Sequence, residues 1–188
     1  MTDDFIAIST LNDYVFCPYS IYLHNVYMDT DSDTYYAMPQ ILGAEAHSNV
    51  DNKTTSTKKN IIESMGIVSY KYRLIGKIDI YNGDLHLLIE RKNNLKNIFI
   101  GQIYQLWAQY LCMIEMGYIV DKLRFYEIST KKYSEVTIPK GNDLNNFVIF
   151  LNKYRNFDPR NFTPSNLNKC AHCVYCGLCD KYTFENVY

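Results

Sequence analysis

Gly76-Lys77-Ile78-Asp79-Ile80-Tyr81-Asn82-Gly83-Asp84-Leu85-His86-Leu87-Leu88-Ile89-Glu90-Arg91-Lys92 decides how this chain is read. Two apolar-rich runs flank Asn82-Gly83, a dipeptide that favours hairpin turns because both residues tolerate positive φ. The pattern predicts a strand over 76–81 and a return strand over 85–92. Side chains alternate along a strand, so Glu90 and Lys92 share a face and the hairpin brings Asp79 beside them. An exposed Asp, Glu and Lys on a hairpin is usually a solvated surface. Here Ile78 and Ile80 bracket Asp79, and Leu87-Leu88-Ile89 leads into Glu90. Such runs resemble central strands, where an unpaired carboxylate is costly without a cation nearby. Two carboxylates at adjacent strand ends suit a hard ion such as Mg²⁺ or Mn²⁺. A lysine beside them can stabilise charge developing on a phosphate.

Working outward, the alternation over 67–74 predicts a further strand. A helix is expected over 98–116, closed by Gly117, then strands over 123–129 and 133–138 joined by a turn at Lys131-Lys132. A last helix is expected over 141–155. Apolar positions from Ser9 to Tyr27 keep helical spacing and are broken at Cys17-Pro18, which predicts one or two short helices. A helix over 37–52 would carry Gly43 and His47, and 158–169 reads as a Pro/Asn-rich connection. The sum is an α/β fold with a mixed sheet flanked by helices. Gln102, Gln105 and Gln109 recur at i, i+3 and i+7 and share one helix face. Their amides either reach a phosphate or bound water, or form a half-exposed stripe opposite Ile103, Leu106, Trp107 and Leu111. His47 is the expected third metal ligand; His24 and His86 have no partners in sequence.

The chain has 188 residues, 47% of them hydrophobic and 21% charged, which suits one globular domain with a real core. A net charge of −1 neither demands nor forbids nucleic acid, which needs only a local basic surface. Lys53, Lys58, Lys59, Lys71, Arg73, Lys96 and Lys169 are candidates for one, and equally for ordinary solvated surface. Many of the eighteen tyrosines and nine phenylalanines are expected in the core, with some able to stack on bases. No apolar run is long enough to span a membrane, and Met1 to Phe5 lacks a signal-peptide pattern, so a cytoplasmic, reducing location is the expectation. There, thiols favour metal over disulfides. Four of six cysteines crowd Cys170-Ala-His-Cys173-Val-Tyr-Cys176-Gly-Leu-Cys179, a fifth is Cys17 in Phe16-Cys17-Pro18, and His172 is a possible substitute ligand. Cys112 falls in the apolar pattern of the glutamine helix and is expected in the core.

These motifs in this order resemble the RecB-like branch of the PD-(D/E)XK nucleases. Within it they are similar to the fourth CRISPR-associated (Cas) family, iron–sulfur exonucleases of spacer acquisition. The order is Cys17-Pro18, Gly43 to His47, Gly76-Lys-Ile-Asp79, Glu90-Arg-Lys92, Gln105 to Met116, then the cysteine tail. The resemblance spans nearly the whole chain. It implies a single nuclease domain, 1–188, with a core over 37–155 and a helical iron–sulfur region made from 1–30 and 160–188. It implies a four-iron, four-sulfur (4Fe–4S) cluster on Cys17, Cys170, Cys173 and Cys179, with Cys176 as an alternative ligand. It implies Mn²⁺ or Mg²⁺ on His47, Asp79, Glu90 and the backbone carbonyl of Arg91, a catalytic Lys92, and Gln105 orienting the lysine or the nucleophile. The family pattern has tyrosine where Gln109 stands; Tyr110 follows it. The implied substrate is single-stranded DNA or a single-stranded overhang, the partner is the Cas integrase complex, and no membrane is involved. Two other classes fit the same residues: an adaptor holding DNA ends with a vestigial site, and a zinc-stabilised nucleic-acid-binding module.

Overall fold

The computed structural model describes residues 5–28 and 60–182. The expected helix over 37–52, with Gly43 and His47, lies outside them. Strand β1 is Ile6–Ala7, followed by helix α1, Leu11–Phe16, and helix α2, Pro18–Met28. The break between the helices falls at Cys17, as expected, because proline has no N–H to continue a helix but suits its first position. Then come β2 (Ile61–Glu63), β3 (Gly66–Ser69), β4 (Leu74–Lys77), β5 (Ile80–Asn82) and β6 (Leu87–Lys92). Helix α3 (Ile100–Glu115) leads to β7 (Lys122–Glu127), β8 (Lys132–Val136), helix α4 (Asn142–Arg155) and a short helix α5 (Leu167–Ala171).

Two sheets form, one ordered β1-β4-β3 and the other β2-β5-β6-β7-β8. β6 and β7 are parallel while β5-β6 and β7-β8 are antiparallel, so the larger sheet is mixed. A parallel neighbour requires a crossover, and α3 supplies it. The α/β class with mixed strands and flanking helices is therefore observed.

One long hairpin serves both sheets. Glu63 opposes Ile80 and Gly66 opposes Lys77, so Ser64-Met65 and Ile78-Asp79 meet without a slip in register. The backbone confirms it: Ser64 N–H donates to Asp79 at 3.1 Å and Ile78 N–H to Met65 at 3.0 Å. The ribbon turns from one sheet to the other at this corner, where Ser64 has φ of 54°. Asp79 is thus at the corner, not in mid-strand as its flanks suggest. The expected single strand over 67–74 is two strands with a turn at residues 70–73. Glu115 from α3 braces that turn, accepting from the N–H groups of Tyr70 at 2.9 Å and Lys71 at 3.1 Å. The expected two-residue turn at Asn82-Gly83 is instead a four-residue loop, 83–86. Asn82 accepts from Leu85 N–H at 3.1 Å and His86 takes the positive φ of 47°.

The core joins α3 to both sheets through fully enclosed Ile67, Leu74, Leu88, Leu106, Leu123 and Phe125. Each such side chain contributes about 1.5–3 kcal/mol of burial. Cys112 is among them, as expected, with no exposed surface. Gly117, with φ of 89°, ends α3 as expected of a helix C-terminus. Among the described residues, no helix is long and apolar enough to cross a membrane.

Candidate active site and thiol-lined cavity

The ladder of β5 and β6 ends with Ile80 paired to Ile89, so Asp79 and Glu90 are the next residue beyond it on each chain segment. Asp79 is held there by the Arg91 N–H, which donates to Oδ2 at 2.7 Å. Glu90 and Lys92 share a face of β6, and Lys92 Nζ lies 2.8 Å from Glu90 Oε1. Glu90 is only 9% exposed, so its charge is answered locally rather than by bulk water.

Helix α3 closes this face from above. Gln105 Oε1 accepts from Lys92 Nζ at 3.1 Å, and Gln105 Nε2 donates to the Ser9 carbonyl at 2.9 Å. Gln109 Nε2 donates to Glu90 Oε2 at 2.7 Å and to the Lys77 carbonyl at 3.2 Å. Gln105 and Gln109 are buried, so the half-exposed stripe is not what forms. Gln102 departs from the trio: it accepts from the Phe99 N–H at 3.0 Å and caps the helix start. Gln109 Oε1 is buried with no hydrogen-bond partner among the described residues, an acceptor that a bound water or cation would satisfy. Asp79, Glu90, Lys92 and Gln105 are therefore brought together; His47 lies outside the described residues. Arg91 itself is exposed. Among the described residues, no three His, Cys, Asp or Glu side chains close around one ion position.

Two supports carry no signal in the sequence. The Ser9 carbonyl is a backbone group that any residue could offer. Glu127 sits next to Lys92 in the β6–β7 ladder and accepts from Leu95 N–H at 2.7 Å, Thr130 Oγ1 at 2.5 Å and Ser129 Oγ at 3.1 Å. These bonds, led by the one from Thr130, hold its carboxyl below the ordinary glutamate range. Glu127 thereby fixes the loop that leaves Lys92.

The second constellation joins the ends of the described chain. Tail residues 170–179 wind through successive turns in which the N–H of Cys173 donates to Cys170 and that of Cys176 to Cys173, both at 3.0 Å. The winding leaves five thiols, Cys17, Cys170, Cys173, Cys176 and Cys179, around one cavity of about 150 Å³. All five are free. Burial, then the neighbouring thiols, push the Cys170 thiol up; burial leads again at Cys179, with Asp180 and the Cys17 and Cys173 thiols adding to it. A cation among them would reverse that. His172 is exposed and does not line the cavity. The tail is docked on α2 by Tyr19, whose hydroxyl donates to Asp180 at 2.6 Å and whose ring stacks on Phe162 at 5.4 Å. His24 Nδ1 and the Tyr175 hydroxyl meet at 2.8 Å, giving His24 a partner its sequence context did not reveal. His86, likewise, lies 2.7 Å from Asp121.

No family model and no curated protein matches this chain. Among solved structures, the crystal structure of SSO0001 has a similar fold, with a TM-score of 0.54 over 95% of this chain and 87% of that one, at 18% identity. At that identity the likeness concerns the fold alone.

Proposed function

We propose that this chain is a divalent-metal-dependent DNA nuclease with a PD-(D/E)XK, RecB-like core and an iron–sulfur region built from its two ends. The observation that carries the reading is the largely buried Glu90–Lys92–Gln105 network, with Asp79 held beside it by the Arg91 N–H. A buried ion pair of this kind contributes little to stability, because desolvation offsets most of its attraction. A catalytic use explains its presence better than a structural one.

His47, Asp79, Glu90 and the carbonyl of Arg91 are the residues that would hold the ion. A bound Mg²⁺ or Mn²⁺ supplies activation of water and neutralisation of phosphate charge. Asp79 is pre-set for this by the Arg91 N–H, which leaves its other oxygen unclaimed by that bond. Lys92 then donates to a phosphate oxygen as negative charge builds on it, and Gln105 keeps the ammonium aimed. Single-stranded DNA or a single-stranded overhang is the proposed substrate, as the resemblance of the motifs implies. The trimming of prespacers beside the Cas integrase, in a reducing cytoplasm, completes the proposal.

Five thiols around one cavity support a soft metal centre there, and a cluster is the proposed one, with a single zinc as the alternative. Cys17, Cys170, Cys173 and Cys179 are the proposed ligands, with Cys176 able to replace Cys170.

Cleavage of end-labelled single- and double-stranded DNA with Mn²⁺ tests the reading, using anaerobically purified wild type, Lys92→Ala and Asp79→Ala. Cleavage by wild type and not by either variant is expected, and iron and sulfide should be found in equal amounts. Tight binding of DNA ends without cleavage in any divalent metal would replace the nuclease with an end-holding adaptor. Zinc in place of iron would replace the cluster.

A further inference from the structure

Helix α1 has one end at each constellation. At its C-terminus the Cys17 N–H donates to the Asp13 carbonyl at 2.8 Å, and Cys17 lines the thiol cavity. Just before its N-terminus the Ser9 carbonyl accepts from Gln105, the residue that holds Lys92. The span from Ser9 to Cys17 is about 12 Å at helical rise. A helix as short as Leu11–Phe16 has no independent stability, so its place is set by what it docks on. Leu11 is fully enclosed, and Tyr14 packs against Phe150, Tyr154 and Phe157. Gly101 of α3 lets Asn12 of α1 approach closely. A Cβ there would stand 2.6 Å from Asn12 Oδ1 and 2.9 Å from Asn12 Cα, so any side chain must move the backbone of α1. Gln105 has no slack to absorb such a move, since its amide nitrogen is spent on Ser9 and its oxygen on Lys92.

We propose that α1 couples filling of the thiol-lined cavity to placement of Lys92, with Gly101 as the positioning residue that keeps the joint tight. The inference rests on the cluster reading above. A filled cavity fixes Cys17 and with it α1; α1 fixes the Ser9 carbonyl; Gln105 then has one position and so does the ammonium of Lys92. An emptied cavity frees Cys17, lets α1 shift on α3, and releases Lys92 from Gln105. Coupling between two sites is reciprocal, so Lys92 and Gln105 in turn favour the filled cavity.

The reactivity of the Lys92 amine tests this without any cleavage assay. Limited acetylation by an N-hydroxysuccinimide ester, mapped by mass spectrometry, is measured relative to exposed Lys132 on β8, before and after iron is stripped by a chelator. In wild type, stripping should raise relative Lys92 acetylation several-fold. In Gln105→Ala the loaded protein should already react at the stripped level, with no further rise. In Gly101→Ala, loaded Lys92 should be more reactive than in wild type, and iron should be lost to the chelator faster. Circular dichroism shows that each variant is folded before it is compared. Equal Lys92 reactivity in loaded and stripped wild type, or a normal stripping response in Gln105→Ala, would overturn the coupling. A chain that takes up no iron overturns the cluster reading itself, seen as absence of brown colour; Gly101→Ala with wild-type Lys92 reactivity then overturns the role of α1 as well.

Discussion

Lys92 is the residue on which the reading turns, and its surroundings set what its replacement should do. Its ammonium is held by Glu90 and Gln105, both nearly enclosed. Lys92→Ala removes the donor and leaves Glu90 bonded to Gln109 alone in this network, so the fold should persist while the cleavage rate falls about 10²–10³-fold. Lys92→Arg should recover little, because a planar fork does not fit a site built for a compact ammonium. A variant that cleaves at the wild-type rate with Mn²⁺ would exclude Lys92 from the chemistry. Glu127 offers a pH test. Its folded pKa lies below its ordinary value of 4.5, with the Thr130 bond as the first cause. Between the two values the unfolded chain binds more protons, so stability is full above pH ~4.5 and is lost as the pH falls through the folded value. Thermal midpoints of Glu127→Gln should therefore differ from wild type at neutral pH and converge with it in acid. A constant gap down to pH ~3 would reject the assignment. Glu90 and Lys92 were legible because their alternation and apolar flank announce a half-buried strand face; the same pattern singled out Asp79 but misplaced it in mid-strand, since the corner between the sheets has no local signal. Ser9 and Glu127 were not legible, since a backbone carbonyl and a strand-end carboxylate look ordinary in sequence.

At the scale of elements, α3, β6, β7 and α4 declare themselves through long runs of consistent period. The hairpin was harder. Residues 67–74 read as one alternating run, and nothing local shows that 70–73 is a turn between β3, Gly66–Ser69, and β4, Leu74–Lys77. What decides it is Glu115, 44 and 45 residues away from the two N–H groups it accepts from, which supplies the acceptor the turn needs. Short strands such as Ile6–Ala7 and Ile61–Glu63 exist because neighbours offer an edge, not because their own residues insist on it. Gly101 shows the same rule with a sharper consequence. Within a helix, Gly→Ala ordinarily gains up to about 1 kcal/mol. Here the new methyl would meet Asn12 Cα at 2.9 Å, and overpacking of this kind costs about 1–3 kcal/mol. Gly101→Ala should thus lower the denaturation midpoint by a net cost of about 1 kcal/mol, read by chemical unfolding. A more stable variant would show that α1 yields freely. Cys112 gives the opposite case, a thiol whose context says core. Burial pushes its pKa far up, so iodoacetamide should leave it unmodified in the native protein while labelling the tail thiols once iron is removed. Rapid native labelling at Cys112 would mean that α3 opens.

Across the whole molecule, the tail thiols and Cys17 lie far apart in sequence yet share one cavity. No single window of the chain reveals that meeting; the clue is the surplus of soft ligands at one end and a lone thiol beside a proline at the other. A cluster bridging them closes a loop from residue 17 to residue 170. By chain entropy, a cross-link over a loop of more than a hundred residues is worth ~4–5 kcal/mol, more than the Tyr19–Asp180 bond and the Phe162 stack together supply. The five thiols are then not equivalent. Cys17 is the single thiol of this set from the N-terminal segment, and without it the cluster no longer ties the ends. The tail has four thiols for three places, so one can be lost. Cys17→Ala is expected to lose most of its iron and to melt at a temperature close to that of stripped wild type. Cys176→Ala is expected to keep its iron and its midpoint, because Cys170, Cys173 and Cys179 suffice. Iron per chain and thermal midpoint, measured on the same anaerobic preparations, decide the matter. If Cys176→Ala loses iron while Cys170→Ala keeps it, the tail trio is Cys173, Cys176 and Cys179 instead. Should Cys17→Ala retain a full complement of iron, the centre is held by the tail alone, and the ends are joined only by Tyr19 and its neighbours.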